Sequence, residues 1–110
     1  MAYLILTSLE EAIMLSILDQ SRYGQDIVEV LSEASYGTYQ VSSGTLYPAL
    51  QRLKHRGLIQ DQKASENLTV RNGHSRCYYQ VTPEGREVLF RVEEIRSQIR
   101  RQSEGPELST

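Results

Sequence analysis

Six bases, Arg52, Lys54, Arg56, Lys63, Arg71 and Arg76, stand within residues 42–82 against only two acids, Asp61 and Glu66. Residues 1–41 show the reverse, with six acids and a single base, Arg22, and the formal charge of the whole chain is −2. A polyanion responds to local potential rather than to total charge, so the middle of the chain is the candidate phosphate-attracting patch. Hydroxyls open the same stretch at Ser42, Ser43 and Thr45. Such residues cap a helix start, and the hydroxyls and N–H groups exposed there also bind phosphate. Tyr47, Pro48 and Gln51 follow at once, beside Arg52 and Lys54.

The other reactive side chains support little chemistry. His55 and His74 form no metal-ligand spacing with Cys77 and read as lone surface histidines. A single cysteine excludes an internal disulfide, and on a strand it reads as a small packed residue rather than a redox sensor. There is no glycine-rich phosphate loop, no nucleophile elbow and no acidic pair with a plausible cleft. No enzymatic activity, cofactor or metal is expected.

These residues need a scaffold, and 110 residues suit one domain. With 39% hydrophobic and 24% charged residues, a soluble globular chain is expected rather than a disordered one. No apolar run approaches the roughly 20 residues of a membrane span. The start MAYLILTSLEE lacks the basic opening of a signal peptide, so a cytoplasmic location is expected.

Thr7 and Ser8, followed by Glu10 and Glu11, signal a helix start. The run Ala12, Ile13, Met14, Leu15, Ile17, Leu18 is apolar on more than one face, so this first helix needs cover from two sides. A second subunit is one expected cover, at Leu9, Ile13, Met14 and Ile17. Arg22-Tyr23-Gly24 breaks the pattern. Ile27, Val30, Leu31 and Ala34 then give a second helix to about Ser35, and a turn with Gly37 follows. A third helix opens at Ser42-Ser43-Gly44, buries Leu46, Ala49, Leu50 and Leu53, and closes at Gly57 in a C′ position. Pro48 lies inside it, where the lost bond falls on the carbonyl of Gly44 near the helix start and is cheapest to lose.

Residues 58–63 and 76–81 read as short strands, joined by a polar loop with an Asn72-Gly73 turn signal. Thr82-Pro83-Glu84 starts a fourth helix. Its apolar positions Val88, Val92, Ile95 and Ile99 step by 4, 3 and 4, a coiled-coil-like seam without an obvious partner in its own chain. The order predicts a mainly α fold with a two-stranded β wing, a winged helix-turn-helix whose third helix enters the major groove. Residues 1–82 would be the DNA-binding domain, 83–102 a dimerisation helix and 103–110 a flexible tail.

Three stretches are similar to the PadR family of transcriptional regulators: Tyr23-Gly24 opening the second helix, then VSSGTLYPALQRLKHRGLI, then SRCYYQVTPEG. The resemblance runs from about residue 8 to 100 and is closest to the small members, which carry one C-terminal helix. It implies a homodimeric repressor of double-stranded operator DNA, paired through the first and fourth helices. Candidate DNA contacts are then Tyr23, the helix-start hydroxyls Ser42, Ser43 and Thr45, and Tyr47, Pro48, Gln51, Arg52 and Lys54 of the third helix. Lys63, Arg71, His74 and Arg76 would act from the wing, which is longer and more polar than the basic, glycine-rich tip usual in the family. One small member acts in a circadian clock, and the polar wing makes such a circuit a candidate role. Two alternatives follow from the acidic first third and the paired helices: a protein-interaction module without DNA binding, and a regulator that binds an effector at the dimer interface.

Overall fold

A computed structural model describes residues 5–63 and 77–104. The elements run α1 (Ser8–Ser16), β1 (Arg22–Tyr23), α2 (Gly24–Ala34), α3 (Ser43–His55), β2 (Ile59–Lys63), β3 (Cys77–Val81) and α4 (Pro83–Glu104). The fold is mainly helical with a small antiparallel sheet, as the element order predicts. The sheet has three strands in the order β1-β3-β2. Its extra strand is the two-residue break before α2, where Arg22 pairs with Tyr79 and Tyr23 with Tyr78. On the other side β2 and β3 form the wing, from Ile59 opposite Val81 to Lys63 opposite Cys77. The Asn72-Gly73 turn and the tail from residue 105 onward lie outside the described residues.

Thr7, rather than Ser8, caps α1. Its hydroxyl accepts from the Glu10 amide at 3.0 Å, and its own amide donates to Glu10 Oε1 at 2.9 Å. This reciprocal pair satisfies two of the donors that a helix start leaves over. The over-apolar character of α1 is answered within one chain. Ile13, Met14 and Ile17 are fully buried in a single core with Ile27, Leu46, Leu50 and Leu53. Cover from α2, α3 and α4 therefore replaces the second subunit expected over these three residues, and Leu9 is partly buried against the same core.

The α4 seam divides in two. Val88 and Val92 are buried in their own chain, whereas Ile95 and Ile99 are 44% and 62% exposed. A 22-residue helix outruns the small domain beside it, so only its first half finds intramolecular cover.

Two helices end in the same hydrogen-bond pattern with different residues. After α3, Gly57 takes φ 76°, its amide donates to the Lys54 carbonyl, and Leu58 donates to Leu53. After α2, the equivalent position is Tyr36 at φ 54°, with its amide on Glu33 and that of Gly37 on Ser32. This is the Schellman closure, which favours glycine because a Cβ costs about 1 kcal/mol there. Tyr36 bears that cost while its side chain is almost wholly exposed.

The wing joins α4 through a tight knot. Thr82 donates its amide to the Leu58 carbonyl at 3.1 Å and its hydroxyl to the Gly57 carbonyl at 2.7 Å. The same hydroxyl accepts from the Gly85 amide at 2.9 Å. Tyr79 is buried beneath, and burial, more than its neighbours Cys77, Tyr47 and Asp61, pushes its phenol up to about 12. Within the stretch SRCYYQVTPEG, Tyr79, Thr82 and Gly85 thus form a structural joint: core anchor, helix cap and close approach.

Candidate nucleic-acid interface

The third helix offers its outer surface because its inner one is complete. Leu46, Ala49, Leu50 and Leu53 are all fully buried. At about 100° per residue, Gly44, Pro48, Gln51 and His55 lie on the opposite side, and all four are exposed. His55, set aside in the sequence as a lone surface histidine, belongs to this face. Thr45 and Arg52 flank it on the side of α1. Tyr47 and Lys54 flank it on the side of α2 and the wing.

Ser42 is the N-cap by position, yet its hydroxyl caps nothing. It donates to the Thr45 hydroxyl at 3.3 Å, while its carbonyl accepts from the Thr45 and Leu46 amides. Ser42, Ser43, Gly44 and Thr45 are all exposed. A helix start whose first amides meet no side-chain oxygen suits an incoming anion. Pro48 sits in an otherwise continuous helix, one turn past Gly44, as its placement near the start predicts.

Tyr47 faces outward and packs against its own chain at once. Its side chain is 43% exposed, yet its ring lies on Gly24 so closely that a Cβ added there would stand 2.5 Å from the phenol oxygen. Gly24 is therefore the seat of Tyr47, which ties the first residue of α2 to α3. Nothing in the spacing of Tyr23-Gly24 and Tyr47 reveals that pairing. Tyr23 turns toward the wing. Its ring stacks on Tyr78 at 4.4 Å, and its hydroxyl donates to the Tyr78 hydroxyl at 2.8 Å.

The charge map changes once the chain is folded. Arg52 Nε lies 3.2 Å from Glu10 Oε2, and Arg56 Nη1 lies 3.7 Å from Glu10 Oε1. Lys54 Nζ pairs with Asp61 Oδ2 at 3.0 Å. The acid that meets the two arginines comes from the acidic first third, so counting charges along the chain overstates the free positive charge of α3. Lys63, at the exposed end of β2, has no ion pair among the described residues. Arg71, His74 and Arg76 lie outside the described residues.

Burial raises the carboxyl of Glu10, but the Thr7 amide, the Arg52 hydrogen bond and the charges of Arg52 and Arg56 together hold it below its ordinary value. The sign follows from linkage. The stability it contributes is present above its unfolded pKa and fades as pH falls through the lower folded one. The neighbouring Glu11 pairs with Arg96 of α4 at 2.6 Å. Two adjacent acids of α1 thus hold α3 and α4.

Among the described residues no group of His, Cys, Asp and Glu could hold a metal ion, and no helix is long and apolar enough to cross a membrane.

The sequence matches the PadR-like family of transcriptional regulators over residues 13–91. It is 31% identical over 81 residues to an uncharacterized protein of Lysinibacillus sphaericus, covering 74% of this chain and 71% of that one. It is 46% identical over 57 residues to the transcriptional regulator Rv3488 of Mycobacterium tuberculosis, covering 52% and 49%. Among solved structures, a PadR-like transcription factor from Bacteroides fragilis superposes with a TM-score of 0.74 at 32% identity, over 86% of this chain and 85% of that one. Bacillus subtilis PadR in complex with operator DNA superposes with a TM-score of 0.64 at 20% identity, over 76% of this chain and 46% of that one.

Proposed function

This chain belongs to the PadR-like family of transcriptional regulators, which are not enzymes, and on that premise we propose that it is a homodimeric repressor that reads operator DNA with α3. The observation that carries the reading is the outer face of α3. It presents an uncapped start, then Thr45, Tyr47, Pro48, Gln51 and Arg52, above a stripe that is wholly buried. Such a helix can lie in a major groove while its amides and hydroxyls meet the backbone. The shared fold with the Bacillus subtilis protein seen on operator DNA supports the same docking. In this reading residues 1–82 form the DNA-binding unit, and residues 83–102 pair two copies through Ile95 and Ile99. Lys63, Arg71, His74 and Arg76 would meet phosphates from the wing. The wing loop that suggests a circadian circuit lies outside the described residues.

One observation favours a second reading, a protein-interaction module without DNA binding. Arg52 and Lys54 of α3, and Arg56 at its C-cap, are already engaged by Glu10 and Asp61. Salt dependence separates the two readings, because phosphate contacts release counterions. Affinity for duplex DNA is expected to fall at least about a hundredfold between about 50 and about 200 mM salt. A protein that shifts no duplex at the lower salt is the module instead.

A further inference from the structure

We propose that Glu10 is a positioning residue for DNA reading: fixed at the start of α1, its carboxylate aims the Arg52 guanidinium of α3 at the duplex. The inference rests on the DNA-reading function proposed above and assigns a role to a residue outside the recognition helix.

Glu10 is a built contact rather than a surface ion pair. Its side chain is 6% exposed, and one oxygen is held by the Thr7 amide at 2.9 Å. The other accepts from Arg52 Nε at 3.2 Å. Arg56 closes the back of the site, with Nη1 3.7 Å from Glu10 and Nη2 donating to the Ile5 carbonyl at 3.1 Å. The two arginines differ in what they leave over. Arg56 is 26% exposed, whereas Arg52 is 54% exposed and has no further partner among the described residues. Gln51 and His55 of the outer face line the same shallow cleft as Glu10, Arg52 and Arg56.

A guanidinium is planar, so a bond at Nε fixes the plane and sends the Nη donors outward. Those donors form the fork that grips the O6 and N7 edge of guanine or a phosphate with two parallel bonds. A free surface arginine must surrender its rotamer freedom to make that grip, and one already held surrenders less. The contrast with Lys54 is informative. Its partner Asp61 is itself partly exposed and is held by no helix cap, so that pair fixes little. A carboxylate beside a polyanion is otherwise a disadvantage, and positioning is what offsets it.

The sign of the effect makes the proposal testable. Charge alone predicts that Glu10→Gln binds every duplex more tightly. Positioning predicts a loss of preference. The measurement is binding of wild type, Glu10→Gln, Arg52→Ala and the double variant to the duplex preferred by wild type and to random duplex. Glutamine keeps the reciprocal cap with Thr7, so the fold is retained. Glu10→Gln is expected to bind random duplex at least as well as wild type, and to lose about tenfold in the preferred-to-random ratio. Arg52→Ala should lose a similar factor, and the double variant no more than Arg52→Ala alone. A partly unfolded variant would lower both affinities alike and leave the ratio unmoved. Arg52→Lys, at an exposed position, is the second variant: it keeps the charge without the fork and should lower the ratio as well. A ratio unmoved in Glu10→Gln or Arg52→Lys, or losses that multiply in the double variant, would overturn the proposal. A wild type that prefers no duplex overturns the DNA-reading function and this inference together, whereas a preference that survives Glu10→Gln overturns the inference alone.

Discussion

Gly85→Ala is expected to lower the melting midpoint by more than about 10 °C. Gly85 is buried where the first turn of α4 crosses the end of α3 and the wing. A Cβ there would fall on the Leu58 carbonyl oxygen and stand 2.7 Å from Val81 Cγ1 and 3.0 Å from the Leu58 carbonyl carbon. Most of these atoms are backbone, so no rotamer change relieves the overlap. Nor can α4 retreat, because the Thr82 and Gly85 amides are tied through Thr82 to the carbonyls of Gly57 and Leu58. Overpacking of a core side chain costs about 1–3 kcal/mol. Overlap with fixed backbone should exceed that range, against a total stability of about 5–15 kcal/mol. Thermal unfolding followed by circular dichroism checks it, with a midpoint lowered by more than about 10 °C as the expected result. A midpoint within a few degrees of wild type would show that the joint yields.

Ile95→Glu is expected to separate two copies without unfolding either. Ile95 and Ile99 are exposed in a single chain and lie on the same side of α4 as the buried Val88 and Val92. A glutamate at position 95 meets water in the monomer and an apolar partner in the proposed dimer, so its cost falls on pairing. The variant should sediment as a monomer at micromolar concentration and still melt cooperatively. With one recognition helix per particle it loses the benefit of two linked half-sites. Its affinity for a two-fold operator should fall by about a hundredfold or more. Val92→Glu would not serve, because Val92 is buried in its own core and a charge there unfolds the chain before it tests pairing. A wild type that already sediments as a monomer would remove the homodimer from the account.

Local patterns are legible in this sequence, and contacts across the chain are not. The helical spacing of Leu46, Ala49, Leu50 and Leu53 marks the buried stripe of α3, and Gly57 marks its end, because both depend on neighbours a few residues away. Arg22-Tyr23 reads only as a break, since a two-residue strand has no periodicity and exists by pairing with Tyr78 and Tyr79. Ile13, Met14 and Ile17 read as needing a partner, but apolar character does not say whose side chains supply the cover. Likewise the six bases read as a free patch. The carboxylate that meets Arg52 and Arg56 is contributed by another helix, and no count along the sequence places it there. The seat of Tyr47 on Gly24 is hidden for the same reason.

The central claim is that α3 reads bases, and selection of duplexes from a random pool tests it most directly. Wild type should enrich two-fold related half-sites whose centres lie about one helical turn, or a multiple of it, apart. Gln51 stands on the outer face of α3, opposite the buried stripe, and a glutamine there can grip the N6 and N7 edge of adenine. Gln51→Ala should therefore keep the spacing of the selected sites and relax the preference at one base pair in each half-site. A pool that stays random with wild type, or a Gln51→Ala selection identical to that of wild type at every position, would contradict the account.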